Sequence, residues 1–183
     1  MAHPNNCLKY ENFYKNENRG AEEVKEWLNQ MFSSRSEIKD AVNDENKDGS
    51  YPVHLATIWG KPDVLNLLLK EGADPNKFQY SNGRKNMTAL HYAAKAENSS
   101  YEKVKILIEY GANLELKSGE GWRAIHYAAA YSYCNTLELL IKEGANRWLR
   151  IDNSNLTPLK LARDSDKISE NCIERLFFNS SSK

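Results

Sequence analysis

Three of the four histidines, His54, His91 and His126, recur 37 and 35 residues apart. Imidazole is the side chain most used as a metal ligand or proton shuttle near neutral pH, so a zinc site is the first chemistry to test. The fourth, His3, lies near the N-terminus. Cys134 follows His126 by eight residues, which brings together the two side-chain types of a thiol nucleophile and its base. Beyond these there is no glycine-rich phosphate loop, no H-E-x-x-H and no G-x-S-x-G. The three cysteines, Cys7, Cys134 and Cys172, are odd in number and irregularly spaced. They read as reduced intracellular thiols and not as a disulfide or zinc framework.

The elements that must position the histidines point to a structural role. Each histidine occupies the same place in a recurring phrase: Tyr51-Pro52-Val53-His54-Leu55-Ala56, Thr88-Ala89-Leu90-His91-Tyr92-Ala93-Ala94 and Arg123-Ala124-Ile125-His126-Tyr127-Ala128-Ala129, with Thr157-Pro158-Leu159-Lys160-Leu161-Ala162 as a fourth copy. Tyr51, Thr88, Arg123 and Thr157 are spaced by 37, 35 and 34 residues. Self-similarity at a period in the thirties means a stack of units, each burying its apolar face only against its neighbours. Helices of successive units lie roughly 8–10 Å apart, whereas the ligands of one zinc ion must all come within about 2 Å of it.

A phrase of the form T-P-L-H-x-A at this spacing resembles the ankyrin repeat. The resemblance implies an all-α repeat fold, an ankyrin solenoid of helix-turn-helix units with β-hairpin fingers. It also implies that the histidine makes a structural hydrogen bond, so neither a metal nor another cofactor is expected.

Thr88 and Thr157 can cap the first helix of their units, a contribution of about 1 kcal/mol. Tyr51 and Arg123 are poorer caps, so units one and three are expected to start frayed or with a substitute. Ala56, Ala93, Ala94, Ala128 and Ala129 are small where helices of adjacent units meet, and a larger side chain there would overpack the stack by about 1–3 kcal/mol. Gly72, Gly111 and Gly144 close the second helices in the left-handed conformation.

Along the chain, residues 1–19 read as a polar leader, with Tyr10, Phe13 and Tyr14 able to dock on the first unit. Residues 20–45 form an N-terminal capping repeat with an apolar stripe of Val24, Trp27, Leu28, Met31 and Phe32. Residues 46–77 are a repeat, 78–117 a repeat with a long finger, 118–150 a third repeat, 151–178 a C-terminal capping repeat and 179–183 a polar tail. From closing glycine to next phrase the interval is 12 or 13 residues in two cases but 16 from Gly72 to Thr88. The extra length falls in Lys77 to Met87, around an Asn82-Gly83 hairpin signal. The inter-helix turn near Glu97 to Tyr101 holds two further residues.

In ankyrin proteins generally, partners are held on the concave surface, made of finger tips and the exposed side of the first helices. The resemblance assigns to that surface Ile58, Trp59, Tyr80, Arg84, Lys85, Met87, Lys95, Tyr110, Trp122 and Tyr131. Trp59, Met87, Tyr110, Trp122 and Tyr131 form a candidate aromatic groove, since aromatic residues bury large area at low entropic cost. Arg84 and Lys85, at the long finger's tip, can pair with acidic groups.

Twenty-five basic and 25 acidic residues balance, which offers no general attraction to nucleic acid or anionic membrane. Nucleic-acid binding through Arg84, Lys85, Arg147 and Arg150 is therefore disfavoured. No apolar run is long enough to span a bilayer, and residues 1–15 lack a secretory signal layout. The expected function is a non-enzymatic module, monomeric on its own, that binds, sequesters, scaffolds or inhibits another protein in the cytoplasm, of a host cell in one version, or in the nucleus. Two narrower roles are a regulator resembling the NF-κB inhibitors and a host-directed effector. A thiol-dependent enzyme using Cys134 is the remaining alternative.

Overall fold

The computed structural model describes residues 20–96, 100–152 and 154–178. The leader with Tyr10, Phe13, Tyr14, His3 and Cys7, most of the turn from Glu97, and the tail lie outside the described residues.

Ten helices and one hairpin follow in order among those residues: α1 (Ala21–Met31), α2 (Arg35–Ala41), α3 (Pro52–Ile58), α4 (Pro62–Lys70), β1 (Phe78–Ser81), β2 (Arg84–Thr88), α5 (Ala89–Lys95), α6 (Ser100–Glu109), α7 (Ala124–Tyr131), α8 (Cys134–Lys142), α9 (Pro158–Asp164) and α10 (Glu170–Ile173), the last continued by a π-helical turn, Glu174–Phe178. Two rows result. The inner helices α3, α5, α7 and α9 pack side by side in that order, and the outer helices α4, α6 and α8 do the same, with α1 laid against α4. The inner row can close up because Ala56, Ala93, Ala94, Ala128 and Ala129 present no more than a methyl group, and all five are buried.

The outer helices end as their glycines dictate. At Gly72, Gly111 and Gly144 the chain turns left-handed, and the next amide reaches back to the helix, Ala73 N–H to Leu68 O, Ala112 N–H to Leu107 O and Ala145 N–H to Leu140 O. Side chains then tie unit to unit. Asn43 donates to Gly72 O (2.8 Å) and accepts from Asp74 N–H (2.9 Å). Asn76 does the same for Gly111 O (3.1 Å) and Asn113 N–H (2.8 Å).

In the first unit α1 buries Val24 and Leu28, but Met31 is exposed. The helix stops at Met31, and Phe32 turns away as its extended C-cap, packing edge-on against Trp27. The apolar stripe is thus shorter than its spacing suggests. Ser34 caps α2 by accepting from Glu37 N–H, while Glu37 accepts from Ser33 N–H.

The long finger is the β1–β2 hairpin, with Asn82 and Gly83 both at positive φ in its turn. Loops 46–50 and 118–122 flank it. Tyr80 N–H donates to Gly49 O, and Gly119 N–H donates to Asn86 O, both at 2.9 Å. A Cβ on Gly49 would collide with the Tyr80 carbonyl oxygen, and one on Gly119 with that of Lys85. Glycine is needed there because backbone meets backbone.

Candidate protein-binding surface

Each histidine of the repeated phrase has both ring nitrogens committed. Nδ1 of His54, His91 and His126 accepts from the backbone N–H of Tyr51, Thr88 and Arg123 at 3.0–3.1 Å. Nε2 lies 3.0 Å from the carbonyl oxygen of Lys77, Leu116 and Leu149 respectively. A backbone N–H can only donate and a carbonyl can only accept, so all three rings are neutral Nε2–H tautomers. Burial pushes His54 and His91 down to about 4, and it lowers His126 as well. With no lone pair left over, these imidazoles are joints between the inner helix and the next finger.

This arrangement corrects the expected caps. Units one and three are not frayed: the His54 and His126 amides, which a hydroxyl cap would take, donate to the Tyr51 and Arg123 carbonyl oxygens at 2.9 and 3.0 Å, while the histidine ring takes the N-cap residue's own N–H. Thr157 does cap α9, accepting from Lys160 N–H at 3.2 Å. The Thr88 hydroxyl turns instead to His91 Nδ1, at 2.8 Å.

The reading of Cys134 and Cys172 as reduced thiols is also corrected. Their sulfurs are bonded, with Cα atoms 6.2 Å apart, and the bridge ties the start of α8 to α10. Sequence spacing missed it because the residues are 38 positions apart and come together only once α9 packs on α7 and α10 on α9. With that sulfur in a disulfide and both His126 nitrogens spent, the Cys–His nucleophile pair is not assembled.

The exposed ends of the inner helices carry the aromatic residues. Trp59, the C-cap of α3, is 47% exposed, and Tyr131, the last residue of α7, is 41% exposed. Between them on α5 stands exposed Lys95, whose Nζ lies 5.4 Å from the Tyr131 ring centroid. Ile58 is exposed beside Trp59. Trp122 is half-buried; it stacks on Tyr131 at 6.3 Å and leans on Tyr127 at 5.0 Å. Met87 is 6% exposed and belongs to the core, so it does not line this surface; it sits on the inward side of β2, where the strand turns into α5. Tyr110 is exposed but follows the outer helix α6, and so stands apart from the inner row. Tyr80, Arg84 and Lys85 are exposed on the long finger, with Lys85 Nζ 3.7 Å from the Phe78 ring centroid.

Two residues that sequence reasoning passed over hold the surface in shape. Tyr92 bonds through its hydroxyl to Gln79 of β1 and receives Asn86 of β2. Tyr127 donates to Glu120 Oε2 at 3.3 Å and receives the Ser118 hydroxyl at 3.1 Å, and its phenol is pushed up to about 12, mainly by burial. The signal was available. Between histidine and alanine, units two and three carry tyrosine where units one and four carry Leu55 and Leu161. Lys103 of α6 is another such residue, 6% exposed and donating to Thr57 O at 2.8 Å.

The profile described as "Ankyrin repeats (3 copies)" matches residues 17–118 and again 90–183. Among curated relatives, the chain is 30% identical over 157 residues to the human transient receptor potential cation channel subfamily A member 1, covering 68% of this chain and 14% of that one. It is 31% identical over 118 residues to the mouse B-cell lymphoma 3 protein homolog, covering 64% and 25%. It is 30% identical over 120 residues to a putative ankyrin repeat protein of fowlpox virus, covering 63% and 34%. The chain thus spans between about one-seventh and one-third of the length of these relatives.

Proposed function

This chain belongs to the ankyrin-repeat family, and we propose that it is a non-enzymatic module that captures one partner protein on the exposed ends of its inner helices. Ankyrin repeats are a protein-interaction architecture, and no helix among the described residues is long and apolar enough to cross a membrane. The observation that carries the narrower reading is the row Trp59, Lys95 and Tyr131, backed by Trp122. Apolar rings left open along one row of packed helices mark an interaction site. The hairpin, with Tyr80, Arg84 and Lys85, supplies a second wall. The module acts as a single copy, in the cytoplasm or nucleus, to sequester or inhibit what it binds. A transcription-factor regulator and a host-directed effector are the two narrower roles, and the identity of the captured protein decides between them.

The test is capture from extract of the native cellular setting, identification by mass spectrometry, and an affinity measurement on the purified pair. Trp59→Ala with Tyr131→Ala is expected to weaken binding by roughly 100-fold or more with the fold retained. Undiminished affinity in the folded double variant would sink the assignment. Tyr131 is preferred to Trp122 as the second site because Trp122, half-buried on Tyr127, also contributes to stability.

A further inference from the structure

We propose that Cys134 and Cys172 form a reversible redox staple that holds α10 and its π-helical turn onto α8. Among the described residues α10 packs chiefly on α9 and on its own π-helical turn, so a covalent tie to α8 adds a second, separate anchor. The helix is four residues long before the π turn. Its other anchors are identifiable among the described residues. Ile173, Leu176 and Phe177 are buried, Arg147 donates to Leu176 O at 2.5 Å, and Arg175 makes a two-pronged pair with Glu138 of α8 at 2.6 and 2.9 Å.

The two sulfurs differ in a way that suits exchange. Cys134 is part-exposed as the first residue of nine-residue α8, and an Arg175 guanidinium nitrogen lies 3.5 Å from its sulfur. A neighbouring cation and a helix N-terminus both favour thiolate over thiol, which makes Cys134 the attacking sulfur. Cys172 is buried and waits as the resolving thiol. The oxidant is a disulfide of the glutathione type. The Cys134 thiolate attacks it to form a mixed disulfide and release one glutathione thiol. The Cys172 thiol then loses its proton, displaces the second glutathione thiol and forms the internal bond. Two protein thiols are oxidised and one glutathione disulfide is reduced. Reduction reverses both steps and frees α10.

The staple also reaches the aromatic surface. Lys167, just before α10, donates to the Tyr131 carbonyl oxygen at 3.4 Å. Its effect on partner binding rests on the functional reading above; the following experiment does not.

The full chain carrying Cys7→Ser is equilibrated with oxidised or with reduced glutathione, then examined by thiol alkylation, intact mass and hydrogen exchange. After oxidation, Cys134 and Cys172 should resist alkylation and the chain should be lighter by two hydrogens. On reduction, exchange in 170–178 should quicken at least about 10-fold, with loop-closure entropy for a 38-residue loop setting a ceiling of several hundred-fold. Exchange in 52–70 should hold. Cys172→Ala should exchange like the reduced chain under both conditions. Free alkylation of both cysteines after oxidation would overturn the proposal. Bond formation with unchanged exchange in 170–178 would overturn it equally.

Discussion

Lys95 Nζ lies 5.4 Å from the ring centroid of Tyr131, so the ends of two neighbouring inner helices meet through a cation and a π face. Both residues are exposed, and such a contact contributes about 0.5–1 kcal/mol. Lys95→Ala should therefore lower stability by less than about 1 kcal/mol in urea unfolding. Tyr131→Ala should reduce affinity for the captured partner by at least about 10-fold. A larger stability loss for Lys95→Ala than for Tyr131→Ala would mean that the pair is structural and not part of a binding face.

The histidine joints are expected to matter more than the hydroxyl caps. His91→Ala strands the Thr88 N–H and the Leu116 carbonyl in a buried position, which should cost about 2–5 kcal/mol. Thr157→Ala removes one N-cap bond on α9 and should cost about 1 kcal/mol. Equilibrium unfolding of the two variants orders them, and equal losses would contradict the role given to His91.

Acid should destabilise the stack through the same joints. His54 and His91 titrate near 4 when folded, against an ordinary 6.5 when unfolded. Between those values the unfolded chain binds more protons, so stability is full above about 6.5 and falls as pH drops toward 4. Each of the two contributes a slope of up to about 1.4 kcal/mol per pH unit. Urea midpoints measured from pH 7 to pH 4 should decline across this window, less steeply in His54→Gln. A flat profile would show that the rings are protonated in the fold.

Glycines with the same sign of φ should differ in tolerance. Gly49 faces the Tyr80 backbone, whereas Gly111 has nothing within 4 Å of where a Cβ would stand. Gly111→Ala should cost about 1–2 kcal/mol, the strain of the left-handed region alone. Gly49→Ala adds a backbone collision and should cost clearly more, with lost exchange protection at Tyr80 N–H. Equal melting points for the two variants would argue against the close approach of the first loop to the hairpin.

Local, periodic features were legible in the chain alone. The phrase around His91 placed the inner helices, Gly72, Gly111 and Gly144 closed the outer ones, and Asn82-Gly83 marked the hairpin, because each is set by backbone sterics within a few residues. What could not be read was which side chains the stack covers. Met87 and Trp122 hold the same column, yet Met87 is buried and Trp122 half-open. The neighbouring unit and finger decide how much room is left, and no local pattern encodes them.

The division runs along the same line for the chemistry. Period and phrase by themselves determined a family, an interaction architecture and a structural role for the histidines, since repeated units must meet through repeated contacts. Tertiary structure alone decided that His54 and His126 reach the Lys77 and Leu149 carbonyls and that Tyr92 and Tyr127 brace the fingers. It alone also brought Cys134 and Cys172 together. The histidine joints and the disulfide join residues one unit apart in space but 23 to 38 apart in sequence, and only stacking brings them within bonding distance.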